Sequence, residues 1–389
     1  MRDAILALNA GSSSVKFGLY DIEDVDDLRL VARGTLDEGG APRFVVKAPD
    51  GEILRDVPVA GDGATAPVRT LVRWIEEKQH ERKLVACGHR IVHGGGEFAD
   101  PVGLTPPVMS ALDKLTPLAP LHQPLSLSPV RTLTGLRPDL LQVGCFDTAF
   151  HRTIEPLVSR YALPPEYAGK GIRRYGFHGL SYEYVAGRLA DGGKKDKRTI
   201  VAHLGNGASL CAIKEGRSID TTMGFSALDG LMMGTRCGSI DPGVLLYLLL
   251  EQHMSAEEVQ HLLYEEAGLL GVSGISGDMR ELEASADPRA RLAIDMFAFR
   301  ASREVAALAN TLGDLDCLVF TAGIGEHSAA VRGSICRHLG WLGLTIDEVA
   351  NSMHAGIISA PDTQVEVLVI PTDEEVMIAH HTLNLMRSA

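Results

Sequence analysis

Arg90, Asp147, His178 and Arg236 stand in four short motifs, and their types together suit phosphoryl transfer. Arg90 lies in Gly88-His-Arg-Ile-Val-His93, just after a strand-like segment, and Asp147 in Cys145-Phe-Asp-Thr-Ala-Phe-His151, at a strand end. Open α/β sheets present ligand-binding groups at such ends. His178 closes Arg173-Arg-Tyr-Gly-Phe-His178 in a Gly-flanked loop, and Arg236 lies in Gly234-Thr-Arg-Cys-Gly-Ser-Ile-Asp241, ahead of a helix. An isolated Arg or His is usually structural or solvated, but these types are complementary. Two guanidinium groups can hold a carboxylate or a transferring phosphoryl group by bidentate hydrogen bonds. An Asp can position a nucleophile or hold a metal, and a His can donate to developing negative charge. Phosphoryl transfer draws on that inventory because its catalysis is mostly alignment and neutralisation.

Three Gly-rich turns are candidate phosphate or nucleotide contacts: Asn9-Ala-Gly-Ser-Ser-Ser14, Gly205-Asn-Gly-Ala-Ser209 and Gly323-Ile-Gly-Glu326. Small residues let backbone N–H groups approach an anion closely. Singly, each such turn is more often a plain tight turn, and their joint presence at strand ends favours the ligand reading. Lys16 can add a point charge near a phosphate, although a strand-edge lysine is ordinarily a surface residue. Gly277-Asp-Met-Arg280 follows a further Gly-rich stretch. The chain has no G-x-x-x-x-G-K-[ST], no G-x-G-x-x-G after a strand, and no protein-kinase H-R-D or D-F-G set. Phosphate binding must therefore use another architecture.

The elements that must position these groups alternate between strand-like and helix-like segments, an α/β pattern. Strands are expected at 4–9, 15–20, 28–34, 43–47, 52–58, 83–87 and 140–146 in the first half, and at 199–204, 208–214, 316–321 and 365–370 in the second. Helices are expected at 67–79, from Asp241-Pro242, from the capping box Ser255-Ala-Glu-Glu258 to near Gly268, from Asp287-Pro288 to Gly313, and at 373–387. Helices between Leu104 and Pro129 must be short or kinked by proline. The hairpin beginning at Ile5 returns at Ile200, an offset of 200 − 5 = 195 residues, about half the chain. Gly-rich hairpins are common, but this offset favours duplication, with two halves of one fold facing a phosphorylated ligand. The loop Asp191-Gly-Gly-Lys-Lys-Asp-Lys-Arg198 reads as a solvated charged stretch.

The 389 residues suffice for two cored domains. A formal net charge of −13 argues against a general nucleic-acid binder, so an anionic substrate must be met by locally gathered Arg and Lys. The six cysteines form no C-x-x-C pair and no zinc-like spacing, which points to reduced thiols, mostly buried, and a cytoplasmic setting. The N-terminal segment is a poor signal peptide, and the apolar run Val244–Leu250 is too short to span a bilayer. No membrane partner is expected.

Taken in order, Asn9-Ala-Gly-Ser-Ser-Ser-Val-Lys-Phe17, Gly88-His-Arg-Ile-Val-His-Gly-Gly95, Phe146-Asp-Thr-Ala-Phe-His151, Arg174-Tyr-Gly-Phe-His-Gly179, His203-Leu-Gly-Asn-Gly207, Gly234-Thr-Arg236, Thr321-Ala-Gly-Ile-Gly-Glu326 and Pro371-Thr-Asp-Glu-Glu375 closely resemble the acetate and propionate kinase family, within the actin, sugar-kinase and Hsp70 ATPase superfamily. The resemblance spans nearly the whole chain. It implies two duplicated ribonuclease-H-like (actin-like ATPase) α/β domains with a central cleft, and a homodimer. The domains would be 1–150 and 151–374, with the helix 375–389 packing back on the first. It implies ATP + acetate ⇌ ADP + acetyl phosphate with Mg²⁺, Mn²⁺ being the alternative. By motif position Asn9 and Glu374 correspond to the metal-site residues, Arg90 to the substrate-binding arginine, Val92 to a wall of the acyl pocket, and Asp147 to the catalytic acid/base. His178 and Arg236 correspond to the transition-state stabilisers. Lys16, His203, Leu204, Gly205, Asn206, Gly207, Asp278, Met279, Arg280, Gly323, Ile324, Gly325, Glu326 and His327 correspond to the nucleotide contacts. Gln123, Ser239, His327 and the segment Gly94-Gly-Gly-Glu-Phe98 depart from the family pattern, which bears on pocket shape and nucleotide preference.

On this reading a carboxylate oxygen of acetate, oriented by Arg90 and Arg236, attacks the γ-phosphorus in line. Acetate is already ionised at neutral pH, so Asp147 can serve in orienting metal-bound water or the attacking group instead of removing a proton. Hinged closure on ligands is expected to exclude water. Propionate or another short-chain acid as acceptor, and a non-catalytic actin-like ATP-binding scaffold, are the alternatives.

Overall fold

The computed structural model describes residues 1–11, 14–23, 27–37, 43–59, 66–78 and 81–388. Ser12 and Ser13 of the first Gly-rich turn, and residue 79 at the end of the expected 67–79 helix, lie outside them. Two compact units emerge: residues 1–149 together with the chain from Asp373 on, and Phe150–Thr372.

The first unit is built on one sheet. Its strands are β1 (Arg2–Ala10), β2 (Ser14–Ile22), β3 (Leu28–Asp37), β4 (Arg43–Lys47), β5 (Ile53–Pro58), β6 (Arg82–Ile91), β7 (Val102–Gly103) and β8 (Leu141–Phe146), in the order β5-β4-β3-β2-β1-β6-β8-β7. β1, β2 and β3 run antiparallel, whereas β6 pairs parallel with both β1 and β8. β1 is buried from Ala4 to Ala10, packed against the helix Gln123–Leu136 and the C-terminal helix. Leu6, Leu8, Phe17, Phe44, Leu71 and Trp74 form the core beneath the helix Ala66–Lys78. The C-terminal helix Glu374–Ser388 packs on β1, β2, β6 and β8 through Ile378, Thr382 and their neighbours.

The second unit repeats that order in smaller form. Its strands β9 (Thr199–Leu204), β10 (Ala208–Lys214), β11 (Arg217–Thr221), β12 (Cys317–Thr321) and β13 (Glu366–Val369) run β11-β10-β9-β12-β13. β9, β10 and β11 are antiparallel, and β12 is parallel to both β9 and β13. The correspondence with β3-β2-β1-β6-β8 is strand for strand and sense for sense. The hairpin repeat in the sequence is therefore a repeat of a whole sheet. β9 is buried along its length, and the helices Gly179–Asp191 and Pro288–Leu312 flank the sheet.

Two expectations change, and one strand is new. β11 has no sequence forecast, being a short strand with only Ser218 and Thr221 buried. The Gly323-Ile-Gly-Glu326 turn is instead a helix, Ala322–His327, entered directly from β12 with Ala322 at φ 64° and followed by the helix Ala329–His338. The charged loop after Asp191 is more than solvated: Lys194 pairs with Glu366 at 2.7 Å, and Arg198 with Asp316 at 2.6 Å, latching the loop to the edges of β12 and β13.

Candidate active site

In the first unit the strand ends gather a connected polar cluster. Asn9 sits near the end of β1, Arg90 near the end of β6, Asp147 one residue beyond β8, and Glu374 and Glu375 open the C-terminal helix. Arg90 donates to Asp147 through Nε (3.0 and 2.9 Å) and Nη2 (2.6 Å), and through Nη1 to Asn9 Oδ1 at 3.3 Å. Asn9 Nδ2 in turn donates to Glu374 Oε2 at 2.8 Å and Glu375 Oε1 at 2.9 Å. Asp147 is buried and its N–H donates to the Ile91 carbonyl, which fixes the carboxylate beside β6. Burial works against the charge on Arg90, but Asp147, Glu374 and Glu375 outweigh it and hold the guanidinium above its ordinary value. Burial, reinforced by the neighbouring Glu374, raises Glu375. Lys16, exposed on β2 opposite Asn9, partly offsets that rise.

Val92, two residues after Arg90, is buried. The next residue, His93, is tied down by Gln123, whose Oε1 accepts from His93 N at 3.0 Å while Nε2 donates to the carbonyls of His93 (3.1 Å) and Leu112 (3.3 Å). Gln123, a departure from the family pattern, is thus a fully buried brace behind the Arg90 strand.

In the second unit a separate cluster forms around the β9–β10 hairpin. His178 caps the helix Gly179–Asp191 in a left-handed conformation, φ 60°. His151 sets that turn, donating from Nε2 to the Phe177 carbonyl (2.9 Å) and accepting from Ser218 Oγ at Nδ1 (2.8 Å). Burial pulls His151 down to about 4, so its ring is neutral at neutral pH. The His178 and His203 rings stack with centroids 4.2 Å apart, and each Nδ1 meets a serine hydroxyl, Ser209 at 2.7 Å and Ser181 at 2.8 Å.

Arg236 and His178 converge at Gly207. A Cβ built there would lie 2.7 Å from Arg236 Nη2 and 3.3 Å from His178 Nε2, so only glycine admits both groups against the main chain. Arg236 is anchored from behind, Nη1 donating to the Ala227 carbonyl at 2.7 Å. The segments expected to contact nucleotide meet at the same place. A Cβ on Gly234 would collide with Asn206 Oδ1 and lie 3.0 Å from the Gly277 carbonyl, and one on Gly205 would be 3.8 Å from Ala322 Cβ. Exposed Asn206, Gly323 and His327 and half-buried Gly205, Gly207, Ile324 and Glu326 can reach a ligand directly. Leu204, Met279 and Gly325 are buried, so Leu204 and Met279 can offer only their main chain. Asp278 caps the helix Met279–Ala284 and pairs with the exposed Arg280 at 2.6 Å, which also holds its carboxyl below the usual range.

Sequence reading missed Arg332. It is fully buried, and Nη1 donates at 2.9 Å to the carbonyls of both Gly325 and Glu326, while Nε and Nη2 bond Asn351. It thereby ties down the end of the Ala322–His327 helix. Nothing in its sequence neighbourhood separates it from a surface arginine. Tyr182 was missed for the same reason, and Ser209, named in a candidate phosphate-contact turn, instead bonds His178 and Tyr182. Among the described residues no group of three or more His, Cys, Asp or Glu side chains is placed to hold a metal, and no helix is long and apolar enough to cross a membrane.

The model of the Acetokinase family matches residues 4–380. The chain is 51% identical over 393 residues to the acetate kinase of Rhodopseudomonas palustris (strain TIE-1), covering 99% of each chain. It is 49% identical over 390 residues to that of Nitrobacter hamburgensis, covering 99% of this chain and 96% of the other. Among solved structures, Porphyromonas gingivalis acetate kinase superposes with a TM-score of 0.86 at 38% identity, covering 99% of this chain and 100% of the other. A propionate kinase from Francisella tularensis superposes with a TM-score of 0.90 at 37% identity, covering 98% and 99%. Both units thus have the architecture of the actin-like ATPases.

Proposed function

The chain belongs to the Acetokinase family, and from that membership we propose that it is an acetate kinase, transferring the γ-phosphoryl group of ATP reversibly to acetate. The observation that carries the assignment of substrate is the hydrogen-bonded chain Asp147–Arg90–Asn9–Glu374 at the strand ends of the first unit. A guanidinium has five N–H groups. Arg90 directs one from each nitrogen to Asp147 or Asn9, which leaves two, the number a bidentate carboxylate takes. Asp147 then acts first by aiming that guanidinium. The buried Val92 supports an apolar wall for the methyl group.

In the second unit we assign Arg236 and His178 to the charge that develops on the transferring phosphoryl group, since both converge on the Gly207 main chain. The hairpin 203–207, with 278–280 and 323–327, supplies the nucleotide contacts of this unit, and Lys16 is assigned a phosphate-directed charge by its motif alone. We assign Mg²⁺, or Mn²⁺, to Asn9 and Glu374. Amide and carboxylate oxygens suit such hard cations, which take few protein ligands when phosphates and water complete the shell. The metal would neutralise phosphate charge.

We further assign a homodimer formed through the helix Pro242–Leu250. It buries none of its residues, and Leu246, Tyr247 and Leu250 are 57%, 54% and 64% exposed. An apolar face of that kind marks an association surface, and self-association is usually symmetric. A cytoplasmic setting accords with six free cysteines.

The likeness to a propionate kinase makes propionate the competing acceptor. One methylene in an apolar pocket is worth only about 1–3 kcal/mol. Purified protein assayed with ATP, magnesium and acetate, propionate or butyrate, with hydroxylamine trapping the acyl phosphate, should give the highest kcat/KM with acetate. A higher value with propionate reverses the substrate assignment, and no acyl phosphate from any of the three removes the enzyme assignment.

A further inference from the structure

His178 Nδ1 is 2.7 Å from Ser209 Oγ, and Ser209 Oγ is 2.5 Å from the Tyr182 hydroxyl. Ser209 and Tyr182 are both fully buried. Among the described residues Ser209 is the one hydrogen-bond partner of the Tyr182 hydroxyl. Its proton therefore has a single acceptor, and a buried O–H without an acceptor is costly. Tyr182 must donate to Ser209, and Ser209 then has its own proton to give to His178 Nδ1. A neutral imidazole that accepts at Nδ1 carries its hydrogen on Nε2. Nε2 is the atom that lies beside Gly207, together with Arg236 Nη2.

We propose that Tyr182 and Ser209 form a one-way hydrogen-bond relay that fixes His178 as the neutral Nε2–H tautomer, presenting a hydrogen-bond donor to the transferring phosphoryl group. The opposite wiring, with Nδ1–H donating to Ser209 and Ser209 to Tyr182, strands the Tyr182 proton in the core. An Nδ1–H facing a Ser209 that still accepts from Tyr182 instead strands the buried Ser209 proton, and a fully protonated His178 needs one or other of these wirings. It would also place a positive ring 4.2 Å from the stacked His203 and beside Arg236. Burial pushes the Tyr182 hydroxyl well above its ordinary value, which keeps it a donor. His151, by holding the Phe177 carbonyl, fixes the backbone so that the ring meets Ser209 at all. Ser209 and Tyr182 touch no reacting atom in this scheme and are positioning residues.

The inference rests on the assignment of His178 to the transferring group, but its test separates the two. The full chain is labelled with ¹⁵N-histidine, and the His178 ring nitrogens are assigned by comparison with His178→Gln. The native protein should show an unprotonated, hydrogen-bond-accepting Nδ1 and a protonated Nε2. Tyr182→Phe, which keeps the shape of the ring, and Ser209→Ala should each convert this to a mixture of tautomers. Each should also lower kcat by roughly 10- to 100-fold, the scale seen when the outer hydrogen-bond partner of a metal-ligating histidine is lost, with the KM for acetate little changed. Ser209→Thr, which keeps the hydroxyl, should restore both signatures. A native His178 with its proton on Nδ1, or a tautomer unmoved in Tyr182→Phe and Ser209→Ala alike, overturns the relay whatever the activity. The expected tautomer shift with undiminished kcat upholds the relay and instead removes His178 from the transition state.

Discussion

At the scale of single residues, chemistry here depends on side chains being held from behind. Arg236 reaches the Gly207 main chain because its other η nitrogen is fixed on the Ala227 carbonyl, and Arg90 is aimed because Asp147 and Asn9 occupy three of its nitrogens. Arg236→Ala should lower kcat by about 10³-fold or more, the range known for arginines in phosphoryl transfer, with circular dichroism unchanged. Near-normal turnover would take Arg236 out of the mechanism. Gly207→Ala tests the same convergence without removing a functional group. Its methyl would press on Arg236 Nη2 and His178 Nε2, and the expected result is a loss of at least about tenfold in kcat, since small misplacements of aligned groups cost up to about 10²-fold. Full activity in Gly207→Ala would mean that the two side chains act elsewhere.

At the scale of elements, the site is made by strand ends and by what restrains the chain just beyond them. β6 delivers Arg90, and Gln123 secures the two residues after the strand by pairing with both polar groups of the His93 backbone. Gln123→Leu keeps the volume but leaves a buried N–H and two carbonyls without that partner. We expect a loss of stability on the order of 3 kcal/mol, read from urea unfolding. An unchanged midpoint would show that the amide is not bracing this segment. In the second unit β12 runs straight into a helix, and Arg332 closes that helix by bonding the Gly325 and Glu326 carbonyls. The Gly-Ile-Gly motif is therefore a rigid ledge, and its glycines allow close packing instead of a loose turn.

At the scale of the whole molecule, two buried histidines set a limit on acid stability. Burial lowers both His89 and His151 from 6.5 to about 4. The unfolded chain takes up these protons below about pH 6.5 while the folded chain refuses them until about pH 4. The contribution is thus complete above pH 6.5 and is lost as pH falls through that window. Each residue should account for about 2 kcal/mol of lost stability between pH 7 and pH 5, at 1.36 kcal/mol per unit. Urea midpoints that coincide at pH 7 and pH 5 would contradict this. The exposed helix Pro242–Leu250 sets the expected assembly. Leu246→Glu combined with Leu250→Glu should convert a dimer of about twice the 41.7 kDa chain mass into monomer by light scattering, and persistence of the dimer would place the interface elsewhere.

Local chemistry in the sequence carried the class of fold and the repeat and singled out Arg90, Asp147, His178, Arg236 and the Gly-rich turns, whereas the metal and most nucleotide residues were named only through the family resemblance. Strand periodicity, capping residues such as Ser255 and Asp287, and Gly-rich hairpins at an offset of half the chain act over a few residues and are legible one segment at a time. The tertiary structure alone decided which of many arginines does what. Arg90 meets a carboxylate and an amide at strand ends, Arg174 spends itself on three backbone carbonyls, and Arg332 disappears into the core, yet nothing adjacent in sequence distinguishes them. The same holds for Gln123, Ser209 and Tyr182, whose partners lie 30, 31 and 27 residues away. Hydrogen-bond direction and burial are properties of groups brought together by folding, so the state of His178 is set by a serine and a tyrosine that no local pattern connects.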